Sequence, residues 1–148
     1  MKENLNMGYR SEVRIITTNK GYDELKKYTE KYLKDKDFKY DNLLDNCDLF
    51  KEDNNSKYFG WNAIKWYESI ENYEDVDAIM KGLEHLRDND LSYRYARIGE
   101  SPDDYEELSY ESNTEPEKLN YPSMIREFDD EYIIHQMNIS NKQNDIEV

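Results

Sequence analysis

Apolar and polar positions alternate over Ser11–Thr18, and Val13, Ile15 and Ile16 mark a strand there. A short side-chain oxygen at Thr18 or Asn19 can then cap a helix by satisfying an amide that lacks an intrahelical acceptor. Tyr22, Leu25, Tyr32 and Leu33 share one stripe of that helix. Asp23 and Glu24 fall in its expected first turn and Lys34 and Lys36 near its end, in line with the helix dipole. Asp45–Lys51 reads as a short strand around Cys47, Leu49 and Phe50. Asp53-Asn54-Asn55-Ser56 is turn chemistry, since these side chains bond nearby backbone. An aromatic strand, Tyr58–Tyr67, follows. Its phase moves from Phe59, Trp61 and Ala63 to Ile64 and Trp66, which predicts a bulge near Asn62–Ile64.

Val76, Ile79, Met80, Leu83 and Leu86 recur at helical spacing, with Asn72 and Asp75 approximating a capping box and Arg87 in the last turn. Leu91–Gly99 alternates as a strand. Ser101-Pro102-Asp103-Asp104 reads either as a helix start or as a turn. Leu108 and Tyr110 alternate with Glu107, Ser109 and Glu111, which favours a hairpin. Residues 112–122 are a loop, and Glu131–Ile139 reads as a last strand. The order β-α-β-β-α-β, followed by a strand extension, predicts an α+β, ferredoxin-like antiparallel sheet with both helices on one face. Residues 1–139 form one domain in this reading, and 140–148 a polar tail.

Composition changes the picture in two ways. Hydrophobic residues make up 36% of the 148-residue chain, below the roughly 45–50% usual for globular chains. Aromatics at 14% restore the burial capacity, since each can remove about 150–250 Å² from water. Charge is uneven. Residues 101–148 hold 13 acidic against 3 basic side chains, and residues 1–100 hold 21 against 17. Tyr105, Tyr110, Tyr121, Phe128 and Tyr132 interleave with the late acids. Such a surface repels nucleic acid and membranes and attracts basic protein surfaces. No run approaches the roughly 18 apolar residues of a membrane span, and the first residues lack the apolar stretch of a signal peptide. The expectation is a soluble intracellular protein.

Candidate chemistry is sparse. His85 and His135 have no nucleophile at motif spacing. Nothing near Cys47 in sequence would depress its pKa, and one cysteine allows neither an internal disulfide nor a cysteine metal cluster. The five glycines form no phosphate loop, so no cofactor is expected. Two carboxylate clusters, at 103–107 and 129–131, lack EF-hand spacing and histidine, so no metal site is assigned. Tyr58, Trp61, Trp66 and Tyr67 read as core rather than as a stacking platform, which would need a basic groove. Arg10, Arg14, Arg94 and Arg97 lie on predicted strands. Their plain reading is cross-strand pairing with acids; the sharper alternative is a small anion or nucleotide pocket. The leading binding candidate is the acidic stretch of Asp103, Asp104, Tyr105, Glu106, Glu107, Tyr110 and Glu111. Carboxylates on a rigid sheet can approximate DNA phosphates and occupy the basic groove of a nucleic-acid enzyme, and Tyr adds contact area at low entropy cost. The plain reading of that stretch is a solubilising face.

Three segments carry a resemblance: Met7-Gly8-Tyr9-Arg10-Ser11-Glu12-Val13, Trp61-Asn62-Ala63-Ile64-Lys65-Trp66-Tyr67-Glu68, and Arg97-Ile98-Gly99-Glu100 with Asp103-Asp104. Together they resemble a family of small phage and prophage proteins that open on a Gly-Tyr-Arg-Ser segment. The resemblance covers about residues 7–107 and brings no catalytic residues. It implies a phage-type accessory protein in a bacterial cytoplasm. In general character such proteins are similar to inhibitors of host defence nucleases, CRISPR nucleases among them. The expected partner is a host protein with a basic surface, without direct nucleic-acid or membrane binding, and a homodimer is left open.

Overall fold

The computed structural model describes residues 9–66, 74–125 and 130–141. Among them the chain forms β1 (Ser11–Thr18), α1 (Asn19–Asp35), a 3-10 turn (Leu43–Asn46), β2 (Leu49–Glu52), β3 (Ser56–Ile64), α2 (Glu74–Asp88), β4 (Tyr93–Ile98), β5 (Tyr105–Tyr110) and α3 (Asp130–Asn141). The class is α+β. The five strands form one sheet in the order β2-β3-β1-β4-β5, every neighbouring pair antiparallel.

Local chemistry explains the boundaries. Thr18 caps α1, its Oγ1 accepting from the Gly21 amide at 2.9 Å. The helix therefore begins at Asn19, directly after the expected cap, and Asp23 and Glu24 fall beyond its first turn, which holds no acid. Both α1 and α2 end in the same way. Asp37 and Asp90 take a left-handed backbone, each with φ 58°. The amides after them, Phe38 and Leu91, reach back to Leu33 O (3.0 Å) and Leu86 O (2.9 Å). These are Schellman ends with Asp where Gly is usual. The bulge in β3 falls where the phase change placed it. Ser11 pairs with Ile64 and Val13 with Trp61, so β3 holds one extra residue at 62–63.

Three expectations are corrected. Asp45–Lys51 is not one strand: Asn42 Oδ1 accepts from the Leu44 amide at 2.9 Å and closes a 3-10 turn, so β2 starts only at Leu49. Cys47 precedes the strand and is half-buried against the core. The aromatic strand ends at Ile64, with Trp66 beyond it; Tyr67 and the Asn72 cap lie outside the described residues. Glu131–Ile139 is helical, not extended. Two adjacent isoleucines favour a strand, but Asp130, Ile133, Ile134 and Met137 also fit helical spacing, and Asp130 and Glu131 suit a helix N-terminus.

Strand alternation sorts the sheet into two faces. Val13, Ile15, Phe59, Trp61, Tyr93 and Tyr95 pack with Leu25 of α1 and with Ile79, Leu83 and Leu86 of α2 in one core. Trp66, 1% exposed, lies against Trp61 and Tyr95 with ring centroids 5.6 and 6.3 Å away. The tryptophans are core, not a platform. The opposite face carries Arg14, Ile16, Tyr58, Arg94 and Ala96, and residues 119–125 cross it.

Candidate functional site

The residues before and after β4 build a buried polar cluster. Arg97 pairs with Glu106 of β5 and with Val13 of β1, which points it toward the core side, where it is 6% exposed. Its Nη2 donates to Asp104 Oδ1 at 2.7 Å, its Nη1 to Ser11 Oγ at 3.0 Å, and its Nε to Glu106 Oε1 at 3.3 Å. Burial opposes the Arg97 charge, but Asp104 and Glu106 outweigh it and hold the guanidinium above its ordinary pKa. Tyr95 Oη donates to the same Glu106 oxygen at 2.7 Å. Tyr9 Oη donates to Asp104 Oδ2 at 2.5 Å and accepts from the amides of Glu100 (2.7 Å) and Ser101 (3.0 Å). A Cβ on Gly99 would overlap both the Asp104 carboxylate and the Tyr9 hydroxyl. The first and third segments that carried the resemblance thus meet at one end of β1 and β4.

The four arginines do not form one pocket, and Arg10 precedes β1 rather than lying on a strand. Arg97 faces the core side, while Arg94, opposite Ile16, and Arg14, opposite Ala96, face the other. Arg94 is 3% exposed. It donates to Tyr110 O (3.1 Å), Glu111 Oε1 (2.7 Å) and Leu119 O (3.4 Å), and stacks 4.2 Å over the Tyr121 ring. Arg14 donates to the Val13 and Trp61 carbonyls, each at 3.0 Å, and to Glu12 and Asn62 at 3.1 and 2.6 Å. Arg10 is exposed, and its amide bonds Glu100. Two of the clefts that border residues 121–125 hold about 390 and 250 Å³. No arginine lines the larger, and Arg14 alone lines the smaller. Arg94 and Arg97 meet acids from β5 and the residues flanking it, whereas the acid on Arg14 is Glu12 of its own strand and its cross-strand contacts are the Trp61 carbonyl and Asn62.

The acidic stretch divides the same way. Asp104 and Glu106 are tied to Arg97, and Glu111 to Arg94 and Lys118. Tyr110 packs against the core and donates to Asp90 at 2.6 Å. Asp103, Tyr105 and Glu107 stand exposed, with Leu108 beside them. Sequence reasoning treated these carboxylates as one surface, because nothing local distinguishes Asp103 from Asp104.

It also missed Asp90. Its carboxylate accepts from Thr114 Oγ1 (2.6 Å), Tyr110 Oη (2.6 Å), the Asn113 amide (2.9 Å) and Ser112 Oγ (3.2 Å). Those donors hold its pKa well below the usual carboxylate range. Glu115 clamps the same loop, accepting from the Ser92 amide and from Thr18 Oγ1, each at 2.8 Å. An Asp just past a helix end, facing a Ser-Asn-Thr run, was the available signal.

The remaining candidates are quiet. Burial pushes the Cys47 thiol up to about 11. His85 stacks on Tyr28 at 4.9 Å and meets Glu24 at 3.3 Å, joining α2 to α1. His135 is exposed on α3. Among the described residues, no group of three or more His, Cys, Asp or Glu is placed to hold a metal ion, and no helix is long and apolar enough to cross a membrane. Comparison with protein-family models, curated proteins and solved structures finds no match to this chain.

Proposed function

We propose that this chain is a protein-binding accessory module that engages the basic surface of a partner through the exposed part of its acidic stretch. The observation that carries this reading is the exposure of Asp103, Tyr105 and Glu107 on and beside a strand whose other acids are anchored on arginines. Anchoring holds the exposed groups in a fixed frame, which lowers the entropy lost on binding. Carboxylates so held steer a basic partner, and Tyr105, 58% exposed, adds contact area. The resemblance to phage and prophage proteins supports a phage-type role in a bacterial cytoplasm. There the partner is a host protein, such as a CRISPR or other defence nuclease, whose nucleic-acid groove the carboxylates occupy and block. The first four strands and two helices follow a ferredoxin-like plan in this proposal. Its support is that β1 lies between β3 and β4 with β2 outside β3; β5 then extends the β4 edge.

Capture from bacterial lysate tests the function. The wild-type chain and its Asp103→Lys/Glu107→Lys variant are immobilised and their retained proteins compared by mass spectrometry at rising salt. The proposal expects a basic nucleic-acid-processing protein on the wild type, released by salt and lost from the variant. Equal retention by both would remove the acidic surface from the account.

A further inference from the structure

Side chains 131–137 of α3 are all exposed, and Ile133, Ile134 and Met137 are 54%, 54% and 56% exposed. Their spacing from Asp130 is three, four and seven residues, so these four side chains share one helix face. Helices shorter than about 12–15 residues are marginal in water even when alanine-rich. α3 has 12 residues, and paired β-branched isoleucines lower its propensity further. Its apolar face therefore calls for a cover.

Charge indicates what that cover is. Residues 130–141 hold Asp130 and Glu131 and no Lys or Arg, in a chain of net charge −14. A second copy would set like charges against each other. An apolar groove with Lys or Arg at its rim would match both the isoleucines and Asp130. We propose that α3 is a docking helix that lays Ile133, Ile134 and Met137 into an apolar, basic-rimmed groove of a partner protein, with Asp130 at the rim. Apolar anchors along one helix face are the helix-in-groove mode of recognition; here Ile133, Ile134 and Met137 are the anchors, and Asp130 takes the first position of the face. This inference rests on the partner-binding function proposed above and adds a second, apolar contact to the acidic one.

Photo-cross-linking in bacterial cells tests it on the full chain. A benzophenone side chain is placed separately at Ile134, at His135 on the far side of α3, and at Tyr105 on β5. The proposal expects Ile134 to cross-link one protein at least tenfold more than His135 does. That protein, once purified, should bind the Ile133→Asp and Met137→Asp variants at least tenfold more weakly, while their thermal midpoints stay at the wild-type value. Cross-links from Ile134 to a second copy, to this chain's own sheet, or equally from both helix faces would overturn the docking helix, as would none at all. Tyr105 separates the two ideas. A partner reached from Tyr105 but not from Ile134 keeps the acidic surface and removes α3; one reached from Ile134 alone does the opposite.

Discussion

Replacing Asp104 by Ala should cost this protein about 3 kcal/mol, while replacing its neighbour Asp103 should cost almost nothing. Asp104 takes two hydrogen bonds from Arg97, at 2.7 and 3.3 Å, and one from Tyr9. The Arg97 side chain is 7% exposed. Removing one partner of a buried ion pair typically costs ~3–5 kcal/mol, because the remaining charge stays desolvated. Two features pull the figure to the lower end. The Asp104 side chain is itself 32% exposed, and Glu106 still faces Arg97 at 3.3 Å. Asp103 is exposed, and such substitutions usually move stability by about ±0.5 kcal/mol. Urea denaturation of both variants reads the difference directly. Out of a stability of roughly 5–15 kcal/mol, the Asp104→Ala midpoint should drop visibly at unchanged slope. Reversing Asp103, Asp104, Glu106 and Glu107 together to Lys should prevent folding, although the sequence alone suggests that all four are free surface. If Asp104→Ala costs less than about 1 kcal/mol, the cluster does not hold β1, β4 and β5 together as described.

Leu83→Ala should cost roughly 2–5 kcal/mol, since Leu83 is 1% exposed where α2 meets the sheet, and an unchanged thermal midpoint would contradict that packing. The Asp90 carboxylate is held below its usual pKa, first by Thr114 and then by Tyr110, Asn113 and Ser112. Its stabilisation is therefore fully present above the unfolded-state value near 3.9 and is lost as pH falls toward the lower folded value. Asp90→Asn should flatten that acid limb of the stability curve, and an unchanged limb would refute the clamp. With its thiol pushed up to about 11, Cys47 should react with a disulfide reagent roughly a hundredfold more slowly in the folded protein than in urea, and equal rates would place it at the surface.

Much of the fold is legible in the sequence because its signals are local. The Thr18 cap, the α2 stripe and the extra residue at 62–63 each follow from a few neighbouring side chains. What is not legible depends on partners far along the chain. Asp103 and Asp104 are adjacent and chemically identical, yet Tyr9, 95 residues from Asp104, and Arg97 make one structural and leave the other exposed. The strand arginines read first as partners of acids, but which acids Arg94 and Arg97 meet depends on residues brought together only by the fold. Residues 130–141 misled for a different reason. Tyr-Ile-Ile suits a strand by propensity, and that pull outweighed the helical spacing of Asp130, Ile133, Ile134 and Met137.

In the proposed function the exposed acids act on a partner while the arginine-anchored acids hold the frame, and association kinetics test this most directly. The protein captured from bacterial lysate is purified, and its association rate is measured against wild type and the Asp103→Lys/Glu107→Lys variant across a salt series. The account predicts equal thermal stability, an association rate for the variant at least about tenfold lower near 0.15 M salt, and a shallower salt dependence. A variant that folds and associates at the wild-type rate at every salt concentration would contradict it, and would leave the acidic stretch as a solubilising surface.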